Sequence, residues 1–204
     1  MTQMNLKADR VKAGRSSEGC RSSNKLIVVC GLSFAGKSTL ADAICADFGY
    51  RQVDVDDTKL GLYGPGIDDQ DLSPAEWTRI YRETDDRIVM HLRNGDSVVD
   101  ASRNFRQRER NHARAIADRM GAEVLLVYVD TPEALVRQRW AENREKQTRR
   151  DVSDKEFEQI IFVMEPPTAE EKVLVFHQND QIKNWLAGHA DHLAGKPQDR
   201  DNDG

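Results

Sequence analysis

The segment Gly31-Leu32-Ser33-Phe34-Ala35-Gly36-Lys37-Ser38-Thr39 has the residue types and spacing of a phosphate-binding loop, G-x-x-x-x-G-K-[ST]. Its glycines let backbone amides converge on phosphate oxygens with no Cβ in the way, and a helix opening at Lys37 adds its positive N-terminal end. In such a loop Lys37 reaches the β- and γ-phosphates, and the Ser38 hydroxyl ligates the Mg²⁺ that bridges them. Gly31, Ser33, Ala35, Gly36, Lys37, Ser38 and Thr39 are therefore the nucleotide-binding candidates, with ATP and Mg²⁺ as cofactors. Thr39 is expected to cap or pack the first helical turn.

Phosphoryl transfer also needs carboxylates and dispersed positive charge. Asp54-Val55-Asp56-Asp57 and Asp100 each end a short apolar run, and in an open parallel sheet ligands sit beyond the carboxyl ends of the strands. Asp56 is the candidate base for an acceptor hydroxyl and a candidate Mg²⁺ ligand; the alternative is a cluster that caps the next segment, as Asp often does. Asp100 is a candidate to orient Mg²⁺ or hold substrate, against a turn aspartate making local backbone hydrogen bonds. Arg137, Arg139, Arg144, Arg149 and Arg150 mark a segment, about 133–152, that could close over nucleotide and exclude water. Within it Arg139 and Arg144 are the catalytic candidates and Arg137 a nucleotide contact; the competing reading is a solvated face paired with Glu133, Glu142 and Glu145. Arg103 and Arg106 are candidate substrate contacts, with Arg108 and Arg110 solvating a helix.

His91, His112 and His177 have no metal-ligand spacing and receive no chemistry. Trp77 and Tyr81 read first as core contacts, with substrate stacking as the alternative. Cys20, Cys30 and Cys45 show no paired spacing, which predicts reduced thiols and a cytoplasmic location.

These side chains need a scaffold. Apolar runs at 26–30, 52–55, 97–100, 123–129 and 173–176 are predicted strands, and amphipathic segments at 39–48, 75–93, 106–120 and 132–149 are predicted helices. The alternation predicts a parallel sheet covered by helices on both faces. Ser73-Pro74-Ala75-Glu76 and Ser153-Asp154-Lys155-Glu156 match capping boxes, and Thr131-Pro132 places a cap before proline. Residues 1–24 read as a disordered extension, 25–187 as one domain and 188–204 as a disordered tail. A chain of 204 residues supports one such core. Its net charge of -5 argues against general nucleic-acid affinity, and no run is long and apolar enough to span a bilayer.

Together these residues resemble the P-loop kinases related to the kinase domain of phage polynucleotide kinase, with zeta-toxin-like and chloramphenicol-phosphotransferase-like enzymes, over about residues 25–176. Asp56-Asp57-Thr58-Lys59 looks like the family's aspartate pair followed by a basic residue. The resemblance implies Asp56 as general base and Lys59 as a contact to substrate phosphate. The family generally has arginine at the latter position, and lysine lacks its bidentate fork for a nucleic-acid 3′-phosphate. Val98-Val99-Asp100-Ala101-Ser102, Leu135-Val136-Arg137-Gln138-Arg139 and Glu165-Pro166-Pro167-Thr168 are similar to later family segments. The implied fold is an α/β P-loop NTPase sandwich, its five parallel strands in the order 2-3-1-4-5, with an arginine-rich lid. The implied activity is a kinase acting on a small-molecule hydroxyl acceptor (sugar, aminoglycoside or nucleoside-like) bound between 60–93 and 103–110. A 5′-hydroxyl polynucleotide kinase and a nucleotide-dependent regulatory ATPase are the alternatives.

Overall fold

The apolar run at the start of the domain becomes β1, Lys25–Cys30, with all six residues buried. A strand covered on both faces must be apolar throughout, and Lys25 is accommodated because its ammonium donates to the His192 carbonyl at 2.6 Å. The computed structural model describes residues 24–102, 104–146 and 152–194. After β1 come α1 (Lys37–Phe48), β2 (Arg51–Val53), α2 (Val55–Tyr63), α3 (Pro74–Arg93), β3 (Val98–Asp100), α4 (Gln107–Met120) and β4 (Glu123–Asp130). The chain continues through α5 (Glu133–Lys146), α6 (Asp154–Val163), β5 (Val173–His177), α7 (Ile182–Gly188) and α8 (Ala190–Leu193).

The five strands form one sheet in the order β2-β3-β1-β4-β5. Every pairing is parallel, with Leu26 beside Val98 and Val124, Val53 beside Asp100, and Val127 beside Leu174. Successive strand residues face opposite sides, so β1 feeds two cores. Ile27 and Val29 pack with Leu40, Ile44, Val136, Phe157 and Trp185, from α1, α5, α6 and α7. Leu26, Val28 and Cys30 pack with Ile88, Leu92, Ile116 and Ala117, from α3 and α4. A smaller cluster of Val55, Leu72 and Ile80 joins α2 to α3. Among the described residues no helix is long and apolar enough to cross a membrane.

Both Ser-Glu capping boxes form: the Ser73 and Ser153 hydroxyls accept from the amides of Glu76 and Glu156, whose carboxylates reach back. Four expectations are corrected. The second strand stops at Val53, because the Asp54 carboxylate accepts from the Asp56 amide at 2.8 Å and caps α2, a helix the strand reading overlooked. Thr131 does not cap α5; its hydroxyl donates to the Ala35 carbonyl at 2.9 Å, and the Pro132 carbonyl opens the helix. Residues 188–194, expected to belong to a disordered tail, are ordered: α8 packs Leu193 into the core at 0% exposure and the Tyr50 hydroxyl donates to its carbonyl. Arg110 does not solvate its helix: it is 1% exposed and forms a two-pronged pair with Glu171 at 2.8 and 2.9 Å. The extension at 1–23 and the tail at 195–204 lie outside the described residues.

Candidate active site

The phosphate loop joins β1 to α1 at the carboxyl edge of the central strand. Gly31 has φ +139°, and a Cβ there would sit 2.7 Å from the Val129 carbonyl oxygen of β4. Gly36 has φ +109° immediately before α1. Between them Phe34 adopts φ +63°, a left-handed conformation that a non-glycine residue holds only when its surroundings enforce it. Those surroundings are identifiable: its buried ring lies 6.2 Å from that of Phe157, and its carbonyl accepts from Arg139 Nη1 at 3.2 Å. The Ala35 carbonyl takes both Arg139 Nη1, at 3.1 Å, and the Thr131 hydroxyl. Donors on these carbonyls offset oxygen dipoles that would repel an anion. Lys37 Nζ donates to the Gly31 and Leu32 carbonyls, each at 3.0 Å, and stands 5.3 Å from the Phe105 ring centroid.

A cleft of about 1000 Å³ opens on Ser33, Gly36, Lys37 and Ser38 and extends past Asp54, Asp56 and Asp100. Asp100 is fully buried at the end of β3, accepting from the Ser102 amide at 2.9 Å and the Asn104 side-chain amide at 3.1 Å. Burial pushes its carboxyl up, against the pull of those hydrogen bonds. Burial likewise pushes Asp54 up to about 6, helped by the negative charges of Asp56, Asp57 and Asp100 and opposed by the Asp56 amide. A divalent cation would favour the charged form of both. The Ser38 hydroxyl and the three aspartates are hard oxygen donors facing one space. Among the described residues no cluster of three His, Cys, Asp or Glu could hold a metal alone. That donor set fits Mg²⁺, which keeps several waters and substrate phosphate oxygens and needs only one or two protein ligands.

The other candidates divide. Arg106 lines the cleft at the start of α4. Lys59, expected to contact substrate phosphate, is instead 6% exposed and paired with Asp69 at 2.9 Å. Arg139 grips the outside of the phosphate loop. Arg137 pairs with Glu133 and Glu158, and Arg144 pairs with Asp154 while lying 4.5 Å over the Trp140 ring. None of these three lines the cleft. Thr39 is exposed and so does not pack the helix turn. Arg103, Arg149 and Arg150 lie outside the described residues.

Sequence reasoning missed several cleft residues. Asp54 stood in the aspartate cluster but was not singled out, although its place directly after the last apolar residue of β2 was the available signal. Asn104 fixes Asp100, and its position four residues on was visible but carries no motif. Asp85 and His112 meet at 2.7 Å across α3 and α4 in the same cleft, a pairing that a separation of 27 positions along the chain conceals. A smaller cleft of about 420 Å³ between α4 and the start of β5 is lined by Gln107, Arg114 and Glu171, away from the phosphate loop.

The fold is shared with known structures. The APS kinase of Mycobacterium tuberculosis, solved with AMPPNP and APS, superposes with a TM-score of 0.58 at 19% identity, over 84% of this chain and 97% of that one. A gluconokinase of Sinorhizobium meliloti 1021 gives 0.53 at 17% identity, over 84% and 94%. A chain of the Pnkp1/Rnl/Hen1 RNA repair complex gives 0.60 at 20% identity, over 72% of this chain and 45% of that one. At such identities the likeness establishes the kinase-like P-loop fold. No curated protein matches the sequence. A family model described as an AAA domain matches residues 26–167, from the second residue of β1 to beyond α6, and takes in the phosphate loop and Asp54, Asp56 and Asp100. With most of its length matched by that model, the chain belongs to this AAA domain family of P-loop proteins.

Proposed function

We propose that the protein is an ATP- and Mg²⁺-dependent kinase that transfers the γ-phosphoryl group to a hydroxyl of a small-molecule acceptor. The observation that carries this reading is one continuous cleft, which runs from Lys37 and Ser38 past Asp54, Asp56 and Asp100 to the facing sides of α3 and α4. Donor and acceptor would therefore share one chamber. Lys37 exchanges the Gly31 and Leu32 carbonyls for the β- and γ-phosphates. Mg²⁺ bound with the nucleotide supplies charge neutralisation at the phosphate oxygens, held by the Ser38 hydroxyl with Asp54, Asp56 and Asp100 as the available carboxylates. Asp56, on the first turn of α2, takes the proton of the acceptor hydroxyl, and Asp54 fixes that turn through the Asp56 amide.

Arg139 is the lid arginine best placed to act near the loop. Arg137 and Arg144 reach nucleotide only when their pairs with Glu158 and Asp154 open as the segment closes. Arg106 faces the acceptor. A polynucleotide acceptor has less support, because Lys59 is engaged by Asp69 and the net charge is -5. Free Cys30 and Cys45 agree with a cytoplasmic location. The kinase unit on this reading runs from β1 through α8.

The test supplies γ-labelled ATP and Mg²⁺ with a panel of sugars, nucleosides, aminoglycosides and a 5′-hydroxyl oligonucleotide. Label passing to one class, and lost at least a hundredfold in Asp56→Asn with ATP affinity kept, is the expected result. Hydrolysis that runs at full rate without acceptor and labels nothing would replace the kinase with a nucleotide-dependent switch.

A further inference from the structure

The acceptor end of the cleft has a definite chemical character. Trp77 and Tyr81, one helical turn apart on α3, stack with ring centroids 5.6 Å apart and planes inclined by 28°. Trp77 is fixed from behind: it packs on the Val55, Leu72 and Ile80 cluster, and its indole N–H donates to the Asp69 carbonyl at 3.3 Å. Tyr81 stands outside that cluster, 45% exposed, and lines the cleft. Two polar contacts lie in this region: the Lys59 ammonium pairs with Asp69 at 2.9 Å, and the Asp85 carboxylate meets the His112 imidazole at 2.7 Å. The Asp85–His112 pair crosses between the two helices that bound the chamber, and Asp85 is near enough to Asp100 to perturb it. This end therefore offers a supported aromatic surface with carboxylate and imidazole groups for hydrogen bonding. Arg106 and Arg108 also line the cleft, at the cap and first turn of α4 beside Phe105, whose ring faces Lys37; Arg108 precedes His112 by one helical turn.

We infer that the Trp77–Tyr81 wall and the Asp85–His112 pair form the acceptor subsite, and that it takes an uncharged hydroxylated ring with one apolar face, as in a neutral pyranose or furanose sugar. The C–H face of such a ring lies on Tyr81, and adjacent hydroxyls bridge the carboxylate and the imidazole, which together supply a donor and an acceptor. Hydroxyls satisfy both members of that pair without a formal charge on the ligand. The inference rests on the kinase reading only for what happens next to the bound ring.

Calorimetric titration tests it, with the full chain loaded with AMPPNP and Mg²⁺. The probes are neutral hexoses, pentoses and N-acetylhexosamines, with a hexose phosphate and an aminoglycoside as charged comparators. The expected result is saturable binding of at least one neutral monosaccharide. It weakens at least tenfold in Tyr81→Ala and in His112→Ala and recovers in Tyr81→Phe, with AMPPNP affinity in each variant as the control for folding. Failure of every neutral sugar, preference for a charged comparator, or unchanged binding in both alanine variants overturns the inference. A sugar that binds through these residues but receives no label leaves the subsite standing and removes the kinase reading. Label that moves only to a non-sugar acceptor does the reverse.

Discussion

Gly31 and Asp54 show how much of this site rests on single atoms. At Gly31 the added Cβ would press to 2.7 Å on a backbone oxygen of β4, and φ is already +139°. Neither the β4 carbonyl nor the dihedral can yield without moving a paired strand. Gly31→Ala should cost about 1–3 kcal/mol from backbone strain alone, visible as a lowered melting temperature, together with weakened nucleotide affinity. Asp54 and Asp56 should separate kinetically. Asp54→Asn keeps an oxygen to accept from the Asp56 amide, so it should retain helix content and lose transfer by a smaller factor than Asp56→Asn in the labelled-ATP assay. The phosphate loop is legible in the sequence because its nine residues are contiguous and each type has a local reason. The burial of Arg110 is not, because along the chain it is one of several arginines after Asp100. What distinguishes it from exposed Arg108 is Glu171, 61 residues away.

At the scale of elements, that same pair is a strap. Arg110 Nη1 donates to the Glu165 carbonyl at 2.9 Å and the Phe105 carbonyl at 3.2 Å, while Arg114 adds a second contact to Glu171 at 3.1 Å. The stretch between α6 and β5 is thereby bound to α4 and to the backbone carbonyls of Asn104 and Phe105, whose side chains support Asp100 and face Lys37. Arg110 holds the Glu171 carboxyl down, to about 2 from an ordinary value near 4.5. A carboxyl depressed on folding stabilises the protein fully above its unfolded value, and that contribution disappears as pH falls through the folded one. Stability measured by denaturant between about pH 4.5 and 2 should therefore fall in the wild type and fall less steeply in Glu171→Gln. Arg110→Met, which leaves the buried carboxylate with Arg114 as its remaining cation, should destabilise the protein at neutral pH by up to about 3–5 kcal/mol. The strands and long helices were legible because periodicity and capping are local, whereas α2 and α8 are short and owe their existence to Asp54 and to the contacts of Leu193.

At the scale of the whole molecule, the sheet order follows from handedness and burial: the most apolar strand, β1, takes the centre and puts its loop at the crevice between β3 and β4. The last turn of the described chain is part of this core. Leu193 is fully buried, so Leu193→Ala should lower stability by about 2–5 kcal/mol, measured as a shift of the urea midpoint with an unchanged slope. The ammonium of Lys25 meanwhile holds the carbonyl of His192 at 2.6 Å, so the first strand and the last helix meet at the amino edge of the sheet. The phosphate loop begins at the other end of β1, about 20 Å away at roughly 3.3 Å per residue. The described polypeptide is thus nearly a closed ring whose seam faces away from the cleft. A short bridge across residues 194 and 24 would let it be reopened at another surface turn, and a fluorophore pair at the seam would report the integrity of the sheet while the cleft stays free for its ligands.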